Sequence, residues 1–327
     1  MGTSARPVPA PSTSSIHPQA LGSRCLIPRL LPPWQVFDGH CGHECAEFLA
    51  ERLPAALGGM GEAAGELGGG TGVRKDPSGA LREALLRADL AFRAEVGESE
   101  ECDAASSGST ALLAAVLEGG GGRPRVVLAN VGDSRAVACS SGIARDLTVD
   151  HSPEAPAELA RIRAAGGFVE DGYVNGQLNV ARALGNWALD IKRGEEDAPG
   201  PLTAEPDVLD HAVEEGEEFM LLASDGLWEV FTSQSAVDFA REHLRSHNDP
   251  RGCSEALIGE ALRRGTTDNV SVVVLCFLDK IPPRRAAAPP RDGLRRTLSA
   301  GAISTLSRTL SDALSAESPS ELPPLQE

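Results

Sequence analysis

The sequence predicts an α+β domain in which helices flank a central antiparallel sheet or sandwich. Three observations predict it. Apolar runs of strand length recur along the chain, and several are joined by glycine-bearing turns. Beside them lie segments whose apolar residues recur every three to four positions, as a helix with one buried face requires. No apolar run approaches the ~20 residues of a membrane-spanning helix, so the apolar content belongs to a packed interior.

Composition divides the chain into three zones. Residues 1–33 are Pro/Ser-rich and are expected to be unstructured, residues 34–282 carry the strand and helix patterns, and residues 283–327 read as a disordered Pro/Arg/Ser-rich tail. Trp34 to Phe37 is a short strand ending at Asp38. A helix follows over 43–53, with Cys45, Phe48, Leu49 and Leu53 on one face and Pro54 as its stop. After a glycine-rich loop at 58–72, Asp76-Pro77 starts a second helix over about 78–96, striped by Leu81, Leu85, Ala88, Phe92 and Val96. Strands at 110–117, 125–131 and 135–140 are separated by Gly119–Gly122 and by the tight turn at Gly132-Asp133. A helix at 154–165 ends at Gly166-Gly167. The run 219–223 is a buried strand, and helices at 234–246 and 254–264 precede a last strand over 270–277.

The net charge of −17 argues against a basic face for nucleic acid or for an anionic membrane, so neither is expected as a partner. Seven cysteines, odd in number and without a C-x-x-C pair, read as reduced thiols in an intracellular setting, cytoplasm or nucleus. The first 37 residues hold no Asp or Glu, as organellar leaders do, but they lack an amphipathic helical pattern, so organellar targeting is not favoured.

Two apolar strands each run into an Asp-Gly pair, at Asp38-Gly39 and Asp225-Gly226, and a third begins just after Asp268-Asn269. If the last strand is antiparallel to the other two, three carboxylates gather at one edge of the sheet. Such a gathering needs protons or cations to hold it, and hard oxygen ligands suit Mg2+ or Mn2+. Asp-Gly is also a common turn pair, so spacing alone does not decide between turns and ligands.

Eight segments in order carry a resemblance: V-F-D-G-H (36–40), G-S-T-A (108–111), N-V-G-D-S-R-A-V (130–137), D-H-S-P (150–153), A-R-A-L-G-N-W (181–187), A-E-P-D-V (204–208), L-L-A-S-D-G-L-W-E-V (221–230) and T-D-N-V-S-V-V-V (267–274). Over about residues 34–280 the chain resembles the type 2C metal-dependent serine/threonine phosphatases. The resemblance implies a central antiparallel β-sandwich flanked by helices on both faces, in αββα layers. It implies two Mg2+ or Mn2+ ions bridged by Asp38, with the Gly39 carbonyl on one and Asp225 and Asp268 on the other. Asp133 and Glu229 match ligands of a weaker third ion, Glu229 standing where the family usually has Asp. His40 matches the proposed general acid for the leaving serine or threonine oxygen. Phosphoprotein substrates and a monomeric state are implied as well.

The chain departs from the family in having no R-x-x-M-E-D strand, and no acid precedes Asp38. Three readings follow: a sequence that begins part-way into the family's domain, a catalytically impaired pseudophosphatase serving as an interaction module, or another segment that substitutes for the lost ligands. Asn186 replaces the usual Asp in A-L-G-N-W and is expected to be a harmless surface change near the substrate flap. Residues 40–45, His-Cys-Gly-His-Glu-Cys, lack the ligand spacing of a zinc site. Ser224 with His243 and His247 lacks a nucleophile elbow. The tail repeats T-L-S three times, twice after an arginine, as kinase targets often are, and its leucines suit a partner-bound helix; a tail without a dedicated role is favoured.

Overall fold

A computed structural model describes residues 34–58, 76–97, 103–194 and 200–283, all within the unit Met1–Arg284. The expected unstructured segment at 1–33, most of the 58–72 loop and the tail from residue 284 lie outside the described residues. Two four-stranded antiparallel sheets form the centre. One is ordered β1 (Trp34–Val36), β4 (Ala111–Glu118), β5 (Pro124–Val131), β11 (Asp207–Ala212). The other is ordered β13 (Val272–Cys276), β12 (Glu217–Ala223), β6 (Arg135–Ser140), β7 (Ile143–Asp146).

Strand alternation sorts the core into layers. Leu112, Ala114, Val126 and Leu128 of the first sheet meet Ala136, Met220, Leu222 and Leu275 of the second, forming the interior between the sheets. The opposite face of the first sheet presents Leu113, Ala115, Val127 and Ala129 to α1 (Glu44–Gly58) and α2 (Pro77–Val96), which contribute Leu49, Leu53, Leu57, Leu81, Leu85 and Phe92. The outer face of the second sheet presents Val137, Phe219, Leu221 and Val274 to α6 (Ser233–His247) and α7 (Pro250–Arg263), where Val237, Leu244 and Leu257 are buried. The layers are therefore α, β, β, α, as the resemblance implies. β12 is buried at every residue: Phe219 to Ala223 read as one unbroken apolar run, while Glu217 and Glu218 before them are buried against Arg145 and Arg241.

The structure corrects several boundaries. The first helix does not stop at Pro54 but runs through it to Gly58. Proline in a helix interior costs ~3 kcal/mol, whereas burying Leu53 and Leu57 together is worth about 3–6 kcal/mol, so packing prevails. The last helix starts at Pro250 rather than 254, because the Asp249 side chain accepts from the Arg251 N–H and proline occupies the first turn. The same signal at Asp76-Pro77 was legible, and the Asp76 carboxylate accepts from the Gly79 N–H as expected. Strands β7 and β11 carry too little alternation to have been found.

One pairing also differs. β12 and β13 are antiparallel, with Leu222 opposite Val273. β1 instead pairs with β4 in the other sheet, Gln35 opposite Leu113. The acid-bearing strand ends meet because two sheets stack, not because three strands share one sheet.

Outside the sandwich, α4 (Pro156–Ala164) and the hairpin of β8 (Val169–Glu170) with β9 (Tyr173–Val174) share a small core of Ile162, Val174, Leu178, Val180 and Ile191. Glu158 anchors it through hydrogen bonds from Arg161 (2.9 Å) and Arg182 (3.0 Å). Burial opposes the Glu158 charge, yet the two guanidiniums outweigh it and hold its carboxyl below the ordinary value of 4.5.

Leu222→Ala, at the centre of the inter-sheet layer, should lower the unfolding free energy by about 2–5 kcal/mol, measured by urea denaturation; Leu90→Ala, on an exposed helix face, should change it by less than about 0.5 kcal/mol. Glu158 has a depressed pKa in the folded state, so its stabilisation is present above about 4.5 and is lost as pH falls through the lower folded value. The melting-temperature gap between the parent and Glu158→Gln should therefore be widest near neutral pH and shrink on acidification below about 4.5.

Candidate metal centre

Asp38 leaves β1 at the end of the first sheet, and its backbone is fixed from below. Its N–H donates to Thr110 Oγ1 at 3.2 Å, and its carbonyl accepts from the Thr110 N–H at 2.9 Å. Thr110 Oγ1 in turn lies 3.0 Å from Ser134 Oγ. The G-S-T and G-D-S motifs thus form a polar shelf under the first aspartate. Gly132 keeps that shelf close: its φ is +104°, and a Cβ there would sit 2.6 Å from the Thr110 methyl. His151 closes the same turn, its Nδ1 accepting from the Gly132 N–H at 3.0 Å.

Gly39 and His40 form β2 (Gly39–His40), which pairs with β3 (Gly108–Ser109), and β3 pairs with β10 (Leu184–Gly185). A Cβ on Gly39 would lie 3.0 Å from that of Ala46, so a larger residue there would press α1 outward by a few tenths of an ångström. Asp225 opens the short helix α5 (Asp225–Trp228) at the end of β12. A Cβ on Gly226 would fall 2.4 Å from the Asn269 carbonyl, so its absence lets the 266–270 loop lie against the helix start. That approach brings Asp268 and Glu229 to Asp225, and the three offer carboxylate oxygens within 4.8 Å of one another.

Asp225 is the hub. Its side chain shares a hydrogen bond with Asp38, and its charge is felt at Asp133, Glu229 and His40. Burial, together with the Asp225 hydrogen bond and charge, pushes Asp38 up to about 9. Burial and the same charge push Asp133 up to about 7. Burial, then Asp268 among the charges, also raises Asp225, and burial with Asp225 and Asp268 raises Glu229. One oxygen of Asp225, Oδ1, is buried without any hydrogen-bond partner. Carboxylates crowded this way hold protons or cations, and an acceptor buried without a donor fits a cation as ligand. The all-oxygen donor set fits a hard divalent ion.

The sequence-predicted residues Asp38, Gly39, His40, Asp133, Asp225, Glu229 and Asp268 therefore fall in one region. Asn186 does not lie where it was expected: it is fully buried, and its Oδ1 lies 2.9 Å from His40 Nε2. The A-L-G-N-W motif was legible, but the αL backbone of Asn186 and its contact with a residue 146 positions away were not. Asp150 was noticed only as part of a motif; it bonds Arg135 twice, at 3.0 and 2.5 Å, and adds negative charge near Asp133 and Asp225. The rejected alternatives are placed too. Cys45 is core on α1, and Ser224 Oγ is held between the Asn269 carbonyl and the Ser271 N–H, so neither is available for zinc or nucleophilic chemistry. Among the described residues, five cysteines are free thiols, and no helix is long and apolar enough to cross a membrane.

Comparison with known proteins places the chain in a family. Residues 33–270 match the family model described as protein phosphatase 2C. Probable protein phosphatase 2C 57 of Oryza sativa subsp. japonica is 41% identical over 274 residues, covering 83% of this chain and 68% of that protein. Probable protein phosphatase 2C 22 of Arabidopsis thaliana is 40% identical over 273 residues, covering 83% and 64% respectively. The chain thus spans about two thirds of the length of these relatives. Among solved structures, a phosphatase from Toxoplasma gondii aligns with a TM-score of 0.61 at 22% identity, over 76% of this chain and 85% of that one, a likeness of fold. A sex-determining protein of C. elegans aligns with a TM-score of 0.58 at 28% identity, over 75% of this chain and 56% of that one. Nothing in these comparisons favours the interaction-module reading. With the family model matching residues 33–270 and relatives about 40% identical over most of its length, this chain belongs to the protein phosphatase 2C family, the metal-dependent protein serine/threonine phosphatases.

Proposed function

We propose that residues 34–282 form the catalytic domain of a phosphatase that hydrolyses phosphoserine and phosphothreonine in proteins. In this reading Asp38, the Gly39 carbonyl, Asp225 and Asp268 hold two Mg2+ or Mn2+ ions, and Asp133 and Glu229 favour a third. The single observation that carries it is the convergence of the acids on Asp225, one of whose buried oxygens lacks any hydrogen-bond donor. Divalent ions bound there would supply an acidified water as nucleophile and neutralise the phosphoryl oxygens.

The chain's own groups do the rest. Asp38, fixed by Thr110 and Ser134, keeps its carboxylate in the cluster without backbone adjustment. His40, partly held by Asn186, supplies the proton that the serine or threonine oxygen needs on leaving. Burial lowers the His40 pKa, which makes its ring a readier donor once charged. The polypeptide is proposed to act as an intracellular monomer, a setting that its free thiols and acidic character suit.

In Mn2+ the full chain should release phosphate from a phosphothreonine peptide, and EDTA should stop it; release that continues in EDTA would remove metal-dependent hydrolysis from consideration. Asp225→Asn should abolish turnover and weaken Mn2+ binding measured by calorimetry, whereas His40→Ala should slow peptide turnover by about 10²–10⁴-fold with Mn2+ binding kept.

A further inference from the structure

We propose that Asn186 is a positioning residue that locks His40 in the tautomer protonated on Nε2, so that Nδ1 is the nitrogen that serves the reaction. This rests on the reading of His40 as the proton donor. The hydrogen-bond directions follow from the atoms themselves. Asn186 Nδ2 lies 2.9 Å from the Ser106 carbonyl, which can only accept, so the amide nitrogen must face Ser106. Oδ1 then faces His40 Nε2 at 2.9 Å, and an amide oxygen can only accept, so Nε2 carries the hydrogen.

The surroundings hold this arrangement from every side. Asn186 is 0% exposed and adopts φ +58°, a left-handed conformation that asparagine tolerates better than most residues. Its N–H donates to the Ser107 carbonyl at 2.7 Å. The preceding Gly185 donates to Asp89 Oδ1 at 2.7 Å, and Arg193 bridges Asp89 Oδ2 and the Gly185 carbonyl, both at 2.6 Å. A Cβ on Gly108 would stand 2.0 Å from Asn186 Oδ1, so the strand between Asn186 and His40 must be glycine at that point. An aspartate at 186 would still accept from His40 but would turn an anion toward the Ser106 carbonyl. The amide satisfies both neighbours, which an ionised aspartate does not.

The step that follows is specific. As a water oxygen bonds to phosphorus, giving up a proton to solvent, and the P–Oγ bond breaks, the electron pair of that bond stays on Oγ, which takes the proton from Nδ1 of the His40 imidazolium. The Nδ1–H pair remains on the ring, which becomes neutral with its Nε2–H still donated to Asn186 Oδ1. Without Asn186 the ring is free to place its proton or its orientation otherwise, and only reactions whose leaving group needs an acid should suffer.

The test uses the full chain labelled with 15N. A two-bond 15N–1H correlation spectrum at alkaline pH, with the His40 signals identified by their loss in a folded His40→Gln, should show the Nε2–H tautomer in the parent; an Nδ1–H ring there overturns the assignment. Asn186→Gly, which accepts the positive φ, should lose that tautomer preference. In Mn2+ it should lower kcat on a phosphothreonine peptide by about tenfold or more, toward the His40→Ala rate, while p-nitrophenyl phosphate, whose leaving group needs no acid, changes less than about threefold. If His40→Ala separates the two substrates and a folded Asn186→Gly does not, the positioning role is overturned. If His40→Ala itself fails to separate them, the acid role of His40 falls and with it the Nδ1 step, while the spectrum still decides the tautomer.

Discussion

Negative charge concentrated around Asp225 is the constraint on which the rest of this molecule depends. Five carboxylates, from Asp38, Asp133, Asp225, Glu229 and Asp268, are drawn into one region by elements that have no electrostatic reason to bring them together. The cost is visible in the carboxyls raised by burial and by one another, Asp38 most of all. Hydrophobic packing between two sheets and their outer helices supplies what holds them there. A fold kept together by its apolar layers can maintain a polar end whose groups repel until cations arrive.

Small residues make that polar end possible. Gly39 lets α1 come close, Gly226 admits the Asn269 carbonyl, Gly132 accommodates Thr110, and Gly108 leaves room for the Asn186 amide. Each lies beside a residue of the site, so the glycines in D-G-H, G-S-T, V-G-D and S-D-G serve close approach as much as turning. The shelf of Thr110, Ser134 and His151 then fixes backbone geometry beneath Asp38 and Asp133. Groups that never reach a substrate thereby set how accurately the reactive ones are placed.

A second polar network works beside the first. Asp89 on α2, Arg193 and the 183–187 segment form a buried clamp, and Trp187 is flanked by the guanidiniums of Arg93 and Arg193, 4.8 and 4.5 Å from its ring centre. This clamp ties the outer helix layer to the loop that carries Asn186, and through Asn186 to His40. The acid–base side of the site is thus braced by the helix packed on the first sheet, while its acids come from the end of β1 as well as from the ends of β12 and β13.

Through the resemblance of its ordered motifs to a known family the sequence implied the αββα layers and the roles of Asp133 and Glu229; read residue by residue, it determined an α+β class, most long elements and the acids at the ends of three strands. Those latter features are local: an apolar run, a helical stripe or an Asp-Gly after a strand is written in neighbouring residues. It did not determine that β1 belongs to the sheet opposite β13, because register and sheet membership depend on which distant strand completes the ladder. Nor did it show the helix continuing past Pro54, where burial of Leu53 and Leu57 overrides a local stop signal. Asn186 is the clearest case. Its neighbours suggested a surface position, yet three short strands carry it beside His40, and only that tertiary pairing turns a replaced residue into a buried hydrogen-bond partner.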